Sequence, residues 1–114
     1  MESTSLTELV EQHLAQAREA APGRSAHTVH GGRDHALRQT LIALVGGRSL
    51  GEHESPGEAT LQVLRGRVTL HAGDETWNGE AGDHVVIPPT RHDLEALEDA
   101  AVLLTVALHG VPGA

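Results

Sequence analysis

Gly47-Arg48-Ser49-Leu50-Gly51-Glu52-His53-Glu54-Ser55-Pro56-Gly57-Glu58-Ala59, and further on Gly82-Asp83-His84-Val85-Val86-Ile87-Pro88-Pro89-Thr90-Arg91-His92, are the stretches that decide the fold of this chain. Each carries a histidine a short distance after a glycine. Between them lie Thr60 to Leu64 and Val68 to Ala72, rich in Val, Leu and Thr and separated by Gly66. Such runs read as β-strands punctuated by tight turns, because glycine supplies the positive backbone angles that turns need.

The pattern continues outward. Strands are expected at about 25–30, 36–45, 49–54, 59–64, 67–72, 84–88, 92–97 and 101–108. The connectors are Gly31-Gly32, Gly46-Gly47, Ser55-Pro56-Gly57, Gly66, Gly73-Asp74, Asn78-Gly79 and Gly82-Asp83. Strand signals at this spacing, with no later helical pattern, predict an all-β sandwich or barrel. In 101–108 both alternating faces are apolar, as expected of a strand with the barrel interior on one side and a helix or second subunit on the other. Gly31-Gly32-Arg33 lacks the strand-to-helix setting of a phosphate loop and reads as a hairpin turn.

One helix precedes the strands, over residues 3–21. Ser5-Leu6-Thr7-Glu8 fits a capping box. Leu6, Leu9, Val10, Leu14 and Ala17 recur at helical spacing, and Pro22-Gly23 ends the run. The expected organisation is a helix over 1–23, a barrel over 24–110 and a tail over 111–114. The helical stripe and the second apolar strand faces need cover, which predicts a homodimer.

Composition narrows the chemistry. With 114 residues the chain is one domain, able to bury roughly two-thirds of its unfolded surface. It has no cysteine, which removes disulfides, thiolate metal sites and a cysteine nucleophile. It also has no lysine, tyrosine or phenylalanine, so Schiff-base and phenolic catalysis are out. A formal charge of −8 repels polyanions, so neither nucleic acid nor an anionic membrane is an expected partner. A single N-terminal helix cannot make a helix-turn-helix, so direct DNA binding is not expected. Absence of a signal-like start and of an apolar span leads to the expectation of a cytoplasmic protein, and heavy Ala, Gly and Arg usage to a bacterial source.

Gly47, five residues, His53, one residue, Ser55, three residues, Ala59, six residues, Gly66 resembles the first motif of the cupin superfamily. After fifteen intervening residues, Gly82, five residues, Pro88 and then His92 resembles the second. The resemblance implies a double-stranded β-helix, a jelly-roll barrel, here with one N-terminal α-helix. It also implies a metal site, with iron, manganese, nickel, zinc or copper as the candidate ions. The chain departs from the pattern at the ligands. Ser55 stands where the family has a second histidine and Ala59 where it has a glutamate. The step from Pro88 to His92 is one residue short, and Ala96 replaces a terminal asparagine.

The expected pocket is therefore lined by His53, Ser55, Ala59, Gln62 and His92, with His53 and His92 as the metal-ligating pair. Glu58 and His30 are the residues that could complete it. His27 shares the first strand with His30. His35, His71, His84 and His109 read as surface histidines, and Glu95, Glu98 and Asp99 as a solvated turn. Three functions stay open: a module binding a small polar molecule, a metal-dependent enzyme of dioxygenase or isomerase type with a reduced ligand set, and a structural dimeric partner.

Overall fold

The computed structural model describes residues 1–54 and 57–108; Ser55, Pro56, His109 and the expected tail lie outside them. The elements run α1 (Leu6–Glu19), β1 (Arg24–His30), β2 (Leu37–Leu44), β3 (Glu58–Arg65), β4 (Arg67–Ala72), β5 (Glu75–Glu80), β6 (His84–Val86), β7 (His92–Ala96) and β8 (Ala100–Ala107). A five-stranded sheet of order β1-β2-β8-β3-β6 faces a three-stranded sheet of order β5-β4-β7. The pairings of both sheets are antiparallel. This is the jelly-roll architecture.

Alternation along the strands separates two apolar clusters. Ala59, Leu61 and Val63 of β3 face inward, toward Val68 and Leu70 of β4, Leu94 and Ala96 of β7, and Val102 and Val106 of β8. This interior is aliphatic, and each fully buried side chain such as Val63 or Val102 contributes about 1.5–3 kcal/mol. The second cluster lies outside the larger sheet. There Val10, Leu14 and Ala17 of α1 cover Leu41 and Ala43 of β2 and Ala101 of β8. The doubly apolar β8 thus has barrel on one face and helix on the other.

The helix begins at Leu6 rather than at residue 3, after the Ser5 cap that its sequence predicts. Ser5 Oγ accepts from the Glu8 amide at 3.2 Å. At the other end Arg18 donates to Asp99 at 2.9 Å, while the Gly46 amide donates to the other Asp99 oxygen at 3.0 Å. The Gly46 bond first, then Arg18, holds the Asp99 carboxyl below its ordinary value. Asp99 thereby ties the helix end to the β2–β3 connection, which is more than the free turn expected of it.

Two elements differ from the sequence reading. The expected strand 49–54 is present only as two isolated bridges, Ser49 with Glu95 and His53 with His92. Gly47 and Gly51 both have positive φ, which breaks the extended run. In contrast, 75–80 is a full strand although Asn78-Gly79 reads as a turn. It pairs with β4 from Arg67–Glu80 through Ala72–Glu75, and the hairpin turn is Gly73-Asp74.

The seam between α1 and β1 holds a buried histidine. His13, only 7% exposed, meets Ser25 Oγ at 2.6 Å, and Ser25 donates onward to Gln16 Oε1 at 3.0 Å. With its proton committed to Gln16, the serine oxygen accepts from His13 Nδ1–H. Burial, and then the facing His27 ring at 5.3 Å, push the His13 pKa down. The unfolded chain therefore binds more protons at this position than the folded one. Its stability is complete above the unfolded imidazole value of about 6.5 and declines as pH falls below it. Urea midpoints should drop between neutral and mildly acid pH, and His13→Gln should flatten that drop. An unchanged pH dependence in the variant would show that other groups cause it.

Candidate functional site

His53 and His92 are backbone partners. Each amide donates to the other's carbonyl, His53 N to His92 O at 2.9 Å and His92 N to His53 O at 3.0 Å. That reciprocal pair sets the rings side by side, with centroids 4.3 Å apart and planes at 69°. His92 is buried in the inner-face row of β7 with Leu94 and Ala96, whereas His53 is exposed at the barrel mouth. Each ring is fixed by the same device: His53 Nδ1 donates to Gly51 O and His92 Nδ1 to Thr90 O, both at 3.0 Å. A carbonyl only accepts, so both Nδ1 atoms carry protons. In the neutral rings both Nε2 atoms then carry free lone pairs.

The residues flanking the pair clamp it. Arg91 donates to Glu52 and Glu54, each at 2.8 Å, and the Gly51 amide donates to Asp93 at 2.9 Å. These bonds, to Glu52 first and then Glu54, hold the Arg91 guanidinium charged even more firmly than usual. They fasten the 51–54 segment to the start of β7 where no continuous ladder does.

The other candidates fall elsewhere. Ala59 is buried in the barrel interior, 3% exposed, and cannot ligate. Ser55 lies outside the described residues. Gln62 does not line the pocket: it pairs with Leu103 and His84, is exposed, and faces outward because Leu61 and Val63 take the inner face. Glu58 is exposed on that same outward face, since no bulge shifts the register between it and Ala59. His30 is exposed, meets the His35 ring at 4.9 Å with the planes tilted by 51°, and lines a cleft with Val29, Leu37 and Leu103 on the outer surface of the larger sheet. The expected surface histidines His35, His71 and His84 are all exposed.

The described residues therefore offer two imidazoles and no third donor. No group of three or more His, Asp or Glu side chains among them is arranged to hold an ion. Tightly held transition ions take three or four protein donors. On that ground the described donor set does not fit a resident metal.

What the barrel does offer is a slot of about 380 Å³ between the sheet edges β5 and β6. Leu70, Ala72, Trp77, Val85 and Pro88 make its apolar wall, and Glu75 and Thr76 its polar part. Register places Glu75, Ala72, His92 and His53 in one row across the smaller sheet and its bridge, with the small Ala72 between the carboxylate and the imidazoles. The indole of Trp77 lies over Gly79, where an added Cβ would come within 2.1 Å of the ring. Glycine at 79 is thus the seat of the indole. A second cavity of about 300 Å³ lies beside His92 and is lined by Glu52, His71, Thr90 and Arg91. Nothing in the polar run 75–80 marks Glu75 and Trp77 as site residues. The one available signal is their period-two spacing after a Gly-Asp turn.

No helix among the described residues is long and apolar enough to cross a membrane. No curated protein sequence is significantly similar to the chain. Among solved structures, a conserved protein of unknown function from Streptococcus pyogenes is 29% identical, with 78% of this chain and 77% of that one covered at a TM-score of 0.69. An RmlC-like cupin protein from Desulfovibrio desulfuricans is 25% identical, with 94% and 96% covered at 0.71. A salicylate 1,2-dioxygenase from Pseudaminobacter salicylatoxidans is 22% identical at 0.74; the match covers 88% of this chain but only 33% of that larger protein, and shows the fold alone. The family model of the cupin domain matches residues 40–108, well over half of the sequence. With both glycine-histidine motifs inside that match and a jelly roll around them, the chain belongs to the cupin domain family.

Proposed function

We propose that this chain is a binding module, a cupin that holds a small molecule in the slot between β5 and β6 and performs no metal chemistry. The observation that carries the reading is the pairing of a preformed cavity of about 380 Å³ with a donor set of only two imidazoles. A cavity of that size suits a small ligand, and mostly apolar walls with a few convergent polar groups are the usual make-up of such sites. Against the sequence-based expectation of a polar ligand, the wall supports a molecule with an apolar body and one polar end.

A second reading is favoured by one specific feature. The Nε2 atoms of His53 and His92 are both unencumbered, and the rings are close enough to share an ion or a water. In this reading the pair takes up a transition ion weakly, with solvent filling the remaining positions. A metal-dependent enzyme of dioxygenase or isomerase type needs more donors than these.

Native mass spectrometry of untagged protein tests the first reading. The expected result is a fraction of chains carrying an organic mass that disappears on mild denaturation. Ala72→Leu, which fills the slot, should abolish it. A bound species that persists in this variant would place the ligand elsewhere.

A further inference from the structure

Resting on the slot reading above, we infer that its ligand is a small amphipathic cation, an amine with a flat apolar body. The wall residues set the body. Trp77 is the only Trp, with no Phe or Tyr in the chain, and it lines this slot. Gly79 beneath it leaves the room in which the indole lies against the strand. Leu70 and Val85 complete an apolar bed.

Charge sets the other end. Among the described residues, Glu75 is the one charged residue that lines the slot, and no arginine or histidine lines it. It shares the inner-face row with Ala72, on the same side of the strand as Trp77. Its carboxylate has no ion pair or hydrogen bond among the described residues, in contrast to Glu52 and Glu54, which are both taken by Arg91. The positive charge of Arg91 is thereby already matched by two carboxylates, and Arg91 does not line the slot. An ammonium group satisfies Glu75 by a charge-assisted hydrogen bond and is attracted to the indole face. A carboxylate ligand would meet Glu75 with like charge, in a protein already at −8.

The same indole makes the test direct, because Trp77 is the protein's sole strong fluorophore. Trp77 emission, excited at the red edge of its absorption, is followed at neutral pH during titration with phenethylamine, phenethyl alcohol and phenylacetate. The three share one body and differ in the charge of one end. Phenethylamine is expected to bind about tenfold more tightly than the alcohol, the lower end of what a charge-assisted hydrogen bond gives. Phenylacetate should bind most weakly. The preference should shrink at high salt, since Glu75 is exposed. In Glu75→Gln, a change on an exposed hairpin position, amine and alcohol should bind alike. Equal affinity for all three, or a preference that survives in Glu75→Gln, overturns the ligand class and leaves the slot as a binding site. If none of the three alters Trp77 emission at millimolar concentration, the inference and the slot reading both fail.

Discussion

Ser55→His combined with Ala59→Glu should turn a weak two-histidine site into a tight one. Ala59 faces into the barrel with Leu61 and Val63, so a glutamate there projects inward as the family motif requires. A four-ligand structural zinc site is worth roughly 10–16 kcal/mol, or about 3 kcal/mol per donor. Two added donors should therefore raise affinity for zinc or nickel by at least about a hundredfold, allowing for imperfect geometry. Without metal the variant should be less stable by several kcal/mol, because a carboxylate at a 3%-exposed position lacks a partner. Added ion should restore that loss. Chelator-competition titrations and urea melts with and without ion check each part. A variant that binds no better than the parent would mean that these two positions do not correspond to the missing ligands.

The second large effect is structural. Gly66 alone joins β3 to β4, at φ +75°, and a Cβ there would stand 2.2 Å from Asp99 O and 3.0 Å from Ala100 Cα. Both are backbone atoms, so no rotamer change relieves the clash. Gly66→Ala should cost about 3–5 kcal/mol, combining a left-handed backbone penalty with displacement of the β7–β8 turn. That turn carries Asp99, so Arg18 and Gly46 lose their acceptor geometry as well. Gly73→Ala is the control. Its φ of +59° is similar but nothing lies within 4 Å, so only the backbone part of about 1 kcal/mol should appear. Equal losses for the two variants in urea denaturation would remove the steric explanation.

Much of this fold could be read from residues whose effects are local. Ser5 caps the helix through the next turn, and Pro22-Gly23 ends it within a few residues. The glycine spacings around His53 and His92 mark turns, and turns fix which strands can meet. Two histidines 39 positions apart could thus be paired before any coordinates, because the motif spacing encodes their common face. What escaped the sequence depended on partners distant along the chain. Strand β5 has a polar sequence and is a strand because β4 offers it a complete ladder. Its Asn78-Gly79 reads as a turn locally, yet Gly79 is needed for the indole that covers it. Glu58 and Gln62 would face the interior only with a one-residue shift in register, which exchanges the faces of a strand. The register of β3 against β8 holds from Glu58 to Val63, so both side chains face outward. His30 fails for a similar reason: it belongs to the edge strand β1, which lies farthest across the larger sheet from β6 and the slot.

The metal content of untagged parent protein, purified without chelators and measured by plasma mass spectrometry, decides most directly between a binding module and a metalloenzyme. Two imidazoles hold an ion loosely, so the expected result is far less than stoichiometric metal after gel filtration at neutral pH, with the barrel folded and Trp77 emission unchanged by chelator. A full equivalent of one transition metal per chain, retained through gel filtration, would contradict the binding-module reading and require a third donor that the described residues do not supply.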